Sequence, residues 1–330
     1  MADLTAVQAS KRRQSWIDRG ERYGLVIAWL IVIVVFTVLE PGVFLTWTNF
    51  STIFGSQAVL VVLALGLIVP LTAGDYDLSI AGNLTLTSML VAVLNVYAHV
   101  PIALCLVAAL GAGLVIGAVN AFLVLYFRIN SLIVTLGMGT FLHGITLWFS
   151  GSNTISGIDF ALPTAVIVTR LFGIPLAFYY ALIVAVVIWY IFGFTAAGQR
   201  LLLVGRGREV ARLSGIRVDR VRAATFLASG LLGAVSGILY AGTTGSADPS
   251  SGLSLLLPAF AAAFLGATSI TPGRFNPIGS VIAVYFLVTG IAGLSILGIS
   301  TFVQDLFYGG ALVVAVALSQ VVRGRQERTT

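Results

Sequence analysis

Long apolar runs without charged residues are the feature that most constrains this chain. Each is near the ~20 residues that a helix needs to cross the hydrocarbon of a bilayer. Lipid leaves only helices or closed barrels able to satisfy the backbone, and barrel strands alternate in polarity over about ten residues. The unbroken runs therefore predict an all-α polytopic membrane protein with about ten spans, one or two of them broken or re-entrant: 24–39, 51–71, 80–97, 101–127, 131–149, 173–193, 222–242, 254–270, 277–294 and 302–322.

The composition agrees with a membrane protein. Hydrophobic residues make up 58% of the chain and charged residues 9%, whereas soluble proteins carry about 25% charged residues. The first apolar run begins near Gly24, after a long polar segment and without a small-residue cleavage motif. It is therefore predicted to be an uncleaved first span and not a signal peptide.

Basic residues lie almost entirely on one side of the predicted spans. With a cytoplasmic N-terminus, 17 of the 18 lysines and arginines fall on inner segments, and only Arg170 does not. This matches the positive-inside rule and explains the net charge of +6 by topology, without nucleic-acid binding. Both termini are predicted to be cytoplasmic, as segments 1–23 and 323–330 around a permease domain over 24–322. The largest inner loop is 196–221.

Motifs for catalysis are missing from the sequence. The only lysine is Lys11, and its surroundings do not form a phosphate-binding loop,. The only histidines, His99 and His143, are far apart, and no zinc-protease or serine-hydrolase motif occurs. The sequence thus predicts a transport protein and not an enzyme, with no metal site and no cofactor bound by this chain.

A polar break interrupts the apolar pattern at "LTAGDYDLSIAG", residues 71–82. An ionised carboxylate at membrane depth needs a partner, a water-filled cavity or a function. Asp77 precedes a new apolar helix and is predicted to cap it, or to line a translocation pathway together with Asp75, Ser79 and Asn83. These two roles are compatible. Asp75 has no capping role and is expected to pair with an inner arginine.

A second polar break at residues 271–276 resembles the first in its pattern. Paired interruptions of apolar segments are typical of transport sites, so Arg274 and Asn276 are also pathway candidates, Arg274 equally suiting an inner-surface anchor. Asn120 and Thr135 complete the candidate set, although buried polar residues in helix bundles more often form hydrogen bonds between helices. Pro258 and a run of small residues leave open whether 254–270 spans or re-enters.

The inner loop contains a short helical pattern. Arg208–Ser214 is predicted to form two turns with Val210, Ala211 and Leu213 as a small apolar patch, and Gly215 suits the left-handed position after a helix,. Glu209 and Arg212 are spaced to pair on one face. Such a helix docks a cytoplasmic partner, whereas a plain solvated loop would explain the arginines alone; the residues do not decide between these alternatives.

Four sequence blocks resemble one known family. "VGRGREVARLSGI" (204–216) resembles the coupling segment V-G-G-N-x-x-A-A-x-x-S-G-I of the ribose/xylose-type sugar permeases of bacterial ABC importers, departing from it at Gly207 and Val210. "AGDYDLSIAG" resembles their A-G-E-x-D-L-S-V-G, and "LGATSITPGRFNPIGS" (265–280) resembles L-G-G-T-S-x-x-G-G-R-G-x-x-x-G-T. "LGISTFVQ" (297–304) also fits. The resemblance runs in order from about residue 50 to 320.

The resemblance implies a permease subunit in the bacterial cytoplasmic (inner) membrane, importing a monosaccharide or small polyol. Its partners would be a second permease, identical or related, a separate ABC ATPase that holds ATP and Mg, and a periplasmic or lipid-anchored sugar-binding protein. The alternative is a stand-alone secondary transporter or channel that uses Asp75 or Asp77 as a proton or cation site. The sugar remains open. In the permease class the residues that couple to the ATPase would be Gly207, Arg208, Glu209, Ala211, Arg212, Ser214 and Gly215.

The predicted orientation is testable with single cysteines. Ser10→Cys or Thr329→Cys, each in a Cys105→Ser background, should react only with thiol reagents that enter the cytoplasm, because both sites lie on the positive side. The measurement is labelling in sealed cells with permeant and impermeant reagents. Labelling of either site by the impermeant reagent would contradict the topology.

Overall fold

The computed structural model describes residues 22–300 and 302–329, with side chains up to residue 318. Most of the predicted N-terminal segment 1–23 and the side chains of the predicted tail 323–330 lie outside this described part. Helices account for most of the described residues.

Fourteen helices occur in the described residues. In chain order they are α1 Arg22–Leu39, α2 Trp47–Ser56, α3 Ala58–Thr72, α4 Ser79–Ala92, α5 Ile102–Tyr126, α6 Ser131–Ser150, α7 Ala161–Pro163, α8 Leu176–Phe194, α9 Ala196–Arg206, α10 Arg208–Leu213, α11 Val218–Thr244, α12 Ser251–Gly266, α13 Pro277–Ile296 and α14 Phe302–Thr329. Single π-helical turns extend α4 over Val93–Tyr97 and α7 over Thr164–Val168.

The prediction of an all-α multi-pass protein is confirmed. Within the described residues, seven helices are long and apolar enough to cross a membrane, and α2 with α3 forms an eighth candidate bent by 42°. Two shorter apolar helices, α12 and the Phe302–Leu318 part of α14, correspond to the other predicted segments. The number of crossings and the side of each terminus remain predictions.

Several predicted bounds differ from the structure. The predicted span 51–71 is two helices joined at Gln57, and the helix predicted at 173–193 starts at Leu176 because a tight antiparallel pair of strands precedes it. The predicted span 222–242 begins earlier, at Val218. Arg222 therefore lies within α11, where it is buried beside the carboxylate partner described below.

Two short antiparallel strand pairs lie between helices. β1 (Ile155–Ser156) pairs with β4 (Ser246–Ala247), and β2 (Arg170–Leu171) pairs with β3 (Ile174–Pro175). Both pairs belong to the connections that are predicted to face away from the cytoplasm, so the chain closes that end of the bundle with backbone hydrogen bonds.

The predicted inner segments gather at the other end, which we call the basic end. Burial and the nearby charge of Arg206 lower the pKa of Arg274, which places the end of α9 beside the α12–α13 turn. Three further contacts join these segments: the Ile270 amide donates to the Arg22 carbonyl at 2.9 Å, Arg208 donates to the Gly74 carbonyl at 3.0 Å, and Arg128 pairs with Asp219 at 3.3 Å.

Helix α12 covers only part of the bundle. It has 16 residues, and the amide of Gly252 donates to the buried Thr85 hydroxyl at 2.9 Å, part-way along α4. Its N-terminal end therefore lies inside the protein, while its other end reaches the α12–α13 turn. This internal start accounts for the ambiguous pattern of the predicted segment 254–270.

The core is built around close contact of α11 with α5 and α4. A side chain at Gly117 would collide with the carbonyl oxygen of Phe226, and one at Gly113 with that of Gly230. The rising numbers on α5 meet falling numbers on α11, so these two helices are antiparallel. Close backbone approach between small residues is what holds helices together in lipid.

Widening this crossing should destabilise the protein. Gly117→Val forces α5 away from α11, and overpacking of this kind costs about 1–3 kcal/mol or more. The melting temperature of the detergent-purified protein should fall clearly. The matched control is Gly111→Val on the same helix, where a new side chain meets no neighbour. Equal melting temperatures for the two variants would contradict the packing described here.

Candidate functional site

The connection between α3 and α4, residues 73–78, is a sharp non-helical segment that we call the α3–α4 break. Gly74 has a φ of +77°, which a glycine adopts without strain,. Helix α6 holds the segment in place, because Ser131 accepts the Tyr76 amide and Thr135 accepts the Leu78 amide, both at 3.1 Å. The predicted candidate Thr135 is thus a support of the break's backbone.

Asp75 is bound by two arginines. Arg222 donates from Nε and Nη2 to the two carboxylate oxygens at 2.7 Å each, and Arg208 donates from Nη2 at 3.0 Å. The Asp75 side chain is only 2% exposed. The expected pairing of Asp75 with an inner arginine is therefore present, and two arginines share the task. Paired charges are the form in which a buried carboxylate is tolerated.

Arg208 connects two regions to which the sequence assigned different roles. The same Nη2 also donates to the carbonyls of Gly74 at 3.0 Å and Ala73 at 3.3 Å, just past the C-terminal end of α3. Unpaired carbonyls at a helix end attract cations. The predicted coupling residue Arg208 and the predicted pathway residue Asp75 therefore belong to one site.

Among the described residues, the hydrogen-bond donors to Asp77 are neutral groups. Ser79 donates to Oδ1 from its amide at 3.0 Å and its hydroxyl at 2.6 Å, and the Ser229 hydroxyl donates to Oδ2 at 2.6 Å. Helix α4 begins at Ser79 with Leu78 in the cap position. Asp77 therefore lies one residue before the cap position predicted for it, although it still accepts an amide of the first turn. Sequence reasoning missed Ser229, although its spacing of seven from Arg222 puts both on one face of α11.

Asp75 and Asp77 contact α11 at different distances from its start. Helix α11 has 27 residues and is about 40 Å long at ~1.5 Å per residue. Arg222, the partner of Asp75, lies about 6 Å from its start, and Ser229, the partner of Asp77, about 16 Å. In a bilayer with about 30 Å of hydrocarbon centred on α11, Asp75 would lie near the edge of the hydrocarbon and Asp77 well inside it.

The other polar candidates join the same helices. Asn120 donates from Nδ2 to the Ser79 hydroxyl at 2.7 Å, and Asn83 donates to the Gly230 carbonyl at 2.8 Å. The amide oxygens of both asparagines are buried without a hydrogen-bond partner in the described structure. All of these side chains are buried. They connect α4, α5 and α11 here, and their part in a pathway stays a prediction.

Arg274 and Asn276 are not brought together with this cluster. Asn276 caps α13 by accepting the Gly279 amide at 2.6 Å, and donates to the carbonyls of Gly266 and Ser269 at 3.0 Å each. It holds the α12–α13 turn together. Arg274 is exposed on the same turn. The geometry therefore favours a structural role in the turn for Asn276 and a surface position at the basic end for Arg274.

A polar cavity of about 500 Å³ opens beside the α3–α4 break. Ion pairs surround it, and those at its rim are well exposed, with Arg128–Asp219 at 3.3 Å and Arg212–Glu209 at 3.2 Å. Asp75, Arg208 and Arg222 also line it. This cavity separates α10 from the α5–α6 turn and gives water access to one side of α10.

The predicted helix in the inner loop is present as α10. It covers Arg208–Leu213, and Gly215 follows with the expected left-handed conformation at φ +80°. Ala211 is buried, whereas Val210 is 68% and Leu213 88% exposed. A short helix at the basic end therefore presents two large apolar side chains outwards.

Comparison with known proteins identifies the class. A family profile described as the permease component of branched-chain amino acid transport systems matches residues 49–316. The chain belongs to this permease family. The match includes the α3–α4 break and α10, so the permease carries both within its family region.

The similar curated proteins are sugar permeases. The permease is 29% identical to the D-allose transport system permease protein of Escherichia coli over 302 residues, 92% of each chain. It is also 29% identical to the ribose import permease protein of Bacillus subtilis, over 95% of this chain and 97% of the relative. The galactose/methyl galactoside import permease protein of Salmonella typhimurium is 28% identical, with the same two coverages. No solved structure matches significantly. The resemblance to sugar permeases is thus confirmed along nearly the whole chain.

Removing the charge of Asp75 or Asp77 should have unequal effects on stability. Asp75→Asn leaves Arg222 buried without its charged partner, which costs about 3–5 kcal/mol. Asp77→Asn keeps an acceptor for Ser79 and can donate to the Ser229 hydroxyl, so it should cost only ~1 kcal/mol. Melting temperatures of the two purified variants compare these costs directly. A loss for Asp77→Asn as large as that for Asp75→Asn would contradict the assignment.

Proposed function

We propose that this permease is the membrane-spanning subunit of an ATP-driven importer for a monosaccharide or related small polyol. The support is its family and the similar proteins named for D-allose, ribose and galactose transport. As in the sequence-based expectation, it acts in the bacterial cytoplasmic membrane.

ATP hydrolysis belongs to a separate chain in this proposal. The single lysine, Lys11, does not lie in a phosphate-binding loop,. An ABC ATPase therefore supplies ATP and Mg, and the permease itself contributes no catalytic residue and binds no cofactor. Its task is to convert movement of the ATPase into movement of the transport helices.

The observation that carries the proposal is the position of α10. Large apolar side chains exposed outside the lipid mark interaction sites, and Val210 and Leu213 form such a pair on α10. Helices with an apolar face dock into grooves of partner proteins. Arg208, on the same helix, binds the α3–α4 break, so a partner on α10 acts directly on the transport helices.

A second permease subunit, identical or related, completes the pathway in this proposal. The support for this second subunit is the resemblance to the sugar permeases of ABC importers. Asp77, Ser79, Asn83 and Asn120 are enclosed within one subunit in the described structure, so in this proposal they hold together the helices beside the route. A periplasmic or lipid-anchored sugar-binding protein delivers the substrate to the end opposite α10.

The alternative, a secondary transporter that uses Asp75 or Asp77, has less support. Asp75 is already neutralised by two arginines, which suits a structural ion pair better than a cation site. Asp77 lacks a basic partner in the described residues and is the only one of the two that fits such a role.

An uptake experiment separates the two functions. The permease is co-expressed with candidate ABC ATPase and sugar-binding proteins from the same organism, and uptake of radiolabelled D-ribose, D-allose and D-galactose is measured. We expect uptake of at least one sugar that requires an active ATPase and persists with a protonophore while ATP is maintained. Uptake that the protonophore abolishes at constant ATP, and that an inactive ATPase leaves intact, would contradict the proposal.

Distorting the end of α10 should uncouple transport without unfolding the spans. Gly215 has a φ of +80° and an added side chain there meets no neighbour, so Gly215→Val imposes only backbone strain, about 1 kcal/mol or more. We expect normal membrane levels but a several-fold loss of sugar-stimulated ATPase activity and uptake. Gly193→Val, also in open space but in a helical conformation, is the control. Full activity of Gly215→Val would show that α10 is only a positive-inside anchor.

A further inference from the structure

Asp75 is held by two arginines whose surroundings differ. The Arg222 side chain is 10% exposed and that of Arg208 is 41% exposed, while Asp75 is 2% exposed. Arg222 comes from the long helix α11 and Arg208 from the six-residue helix α10. The carboxylate is thus shared between a fixed element of the bundle and a small element at its end.

Arg222 alone is sufficient to compensate the charge of Asp75. Its two nitrogens contact both carboxylate oxygens at 2.7 Å, the bidentate arrangement that makes the strongest arginine–carboxylate pairs. If Arg208 withdraws, Asp75 keeps this pair and no charge is left buried alone. Loss of Arg222 would have the opposite result, because a half-exposed Arg208 contributes a single bond to the carboxylate.

Open space lies next to the Arg208 side chain. It borders the cavity of about 500 Å³, whose rim carries exposed charged residues. A guanidinium that leaves Asp75 can therefore be hydrated, while Asp75 keeps both of its bonds to Arg222. One of the other acceptors of Arg208, the carbonyl of Gly74, belongs to an exposed residue that water can reach, whereas Ala73 is buried.

We propose that Arg208 and Asp75 form a releasable tie between α10 and the α3–α4 break, and that Arg222 stays on Asp75 when the tie opens. This inference rests on the proposed function. With the tie closed, α10 is held against the break in the resting state of the transporter. With the tie open, α10 follows the ATPase while the break stays anchored to α11.

The break passes the state of the tie to the transport helices. Its backbone is bonded to Ser131 and Thr135 of α6, and Asp77 is bonded to Ser229 of α11. A change at Gly74 and Asp75 therefore reaches two long helices through direct contacts. Arg208 is a positioning residue in this scheme and touches no substrate.

The first test uses the permease alone. Amide hydrogen exchange is compared for the wild type, Arg208→Gln and Arg200→Gln, the last being an exposed arginine of the same inner loop outside the site. We expect at least threefold faster exchange of the α10 amides in Arg208→Gln, unchanged exchange in α11, and wild-type behaviour in Arg200→Gln. Arg208→Lys should lie between, because it keeps the charge but not the shape of the guanidinium.

The second test uses the permease assembled with its ATPase in nanodiscs. We expect Arg208→Gln to assemble normally, to raise basal ATP hydrolysis several-fold and to lower the stimulation by the sugar-loaded binding protein. Arg208→Lys should restore part of the stimulation. Arg222→Gln should instead lower the melting temperature and the yield, as expected of the fixed partner.

The outcomes separate the tie from the proposed function. Absence of stimulated ATPase activity in the wild-type complex would refute the proposed function, while the exchange experiment would still judge the tie. Wild-type exchange, basal activity and stimulation in Arg208→Gln would overturn the tie alone. Failure of both Arg208→Gln and Arg208→Lys to assemble would also overturn it, because it would make the contact a permanent part of the fold.

Discussion

The buried ion pair between Asp75 and Arg222 is the interaction on which the rest of the site depends. A carboxylate this deep in an apolar bundle is tolerated only with a close partner, and Arg222 supplies two contacts of 2.7 Å. The pair fixes the end of α3 against the beginning of α11. This explains why α11 carries a buried arginine near its start.

The α3–α4 break and α10 are both attached to this pair. Arg208 of α10 binds the same carboxylate. The short helix α10 is therefore attached to the residue that Arg222 anchors to α11. About two turns further along α11, Ser229 donates its hydroxyl to Asp77, which also accepts the hydroxyl of Ser79 on α4. The break therefore combines an outer carboxylate paired with two arginines, open to water on one side, with an enclosed inner carboxyl group that is bonded to neutral donors.

Much of the fold could be predicted from the sequence because lipid imposes simple rules. Length and polarity of the apolar runs predicted the helices, and the left-handed preference of glycine predicted the end of α10 at Gly215. The bend at Gln57 and the early start of α11 escaped prediction because they depend on packing and on a partner 147 residues away. Local patterns carry no information about such distant contacts.

The candidate site was predicted in pieces. The acids, Asn83, Asn120 and the residues of α10 were recognised, but as a pathway and a coupling segment without a connection. Only the three-dimensional structure shows that Arg208 joins them. Arg274 and Asn276 lie in a second polar break whose sequence pattern resembles that of the α3–α4 break. In the structure, however, Asn276 stabilises the α12–α13 turn. The sequence pattern could not distinguish the two, because a capped turn and a binding site use the same residue types.

Coupling through α10 is tested most directly by asking whether α10 contacts an ATPase in the assembled transporter. A photo-crosslinking amino acid is placed at Leu213, which is 88% exposed at the basic end, and as a control at Leu136, which is 55% exposed on the lipid-facing α6. After irradiation of membranes containing the complex, we predict a crosslink from position 213 to the ATPase chain and none from position 136. A complex with full transport activity in which position 213 forms no ATPase crosslink would contradict the proposed coupling through α10.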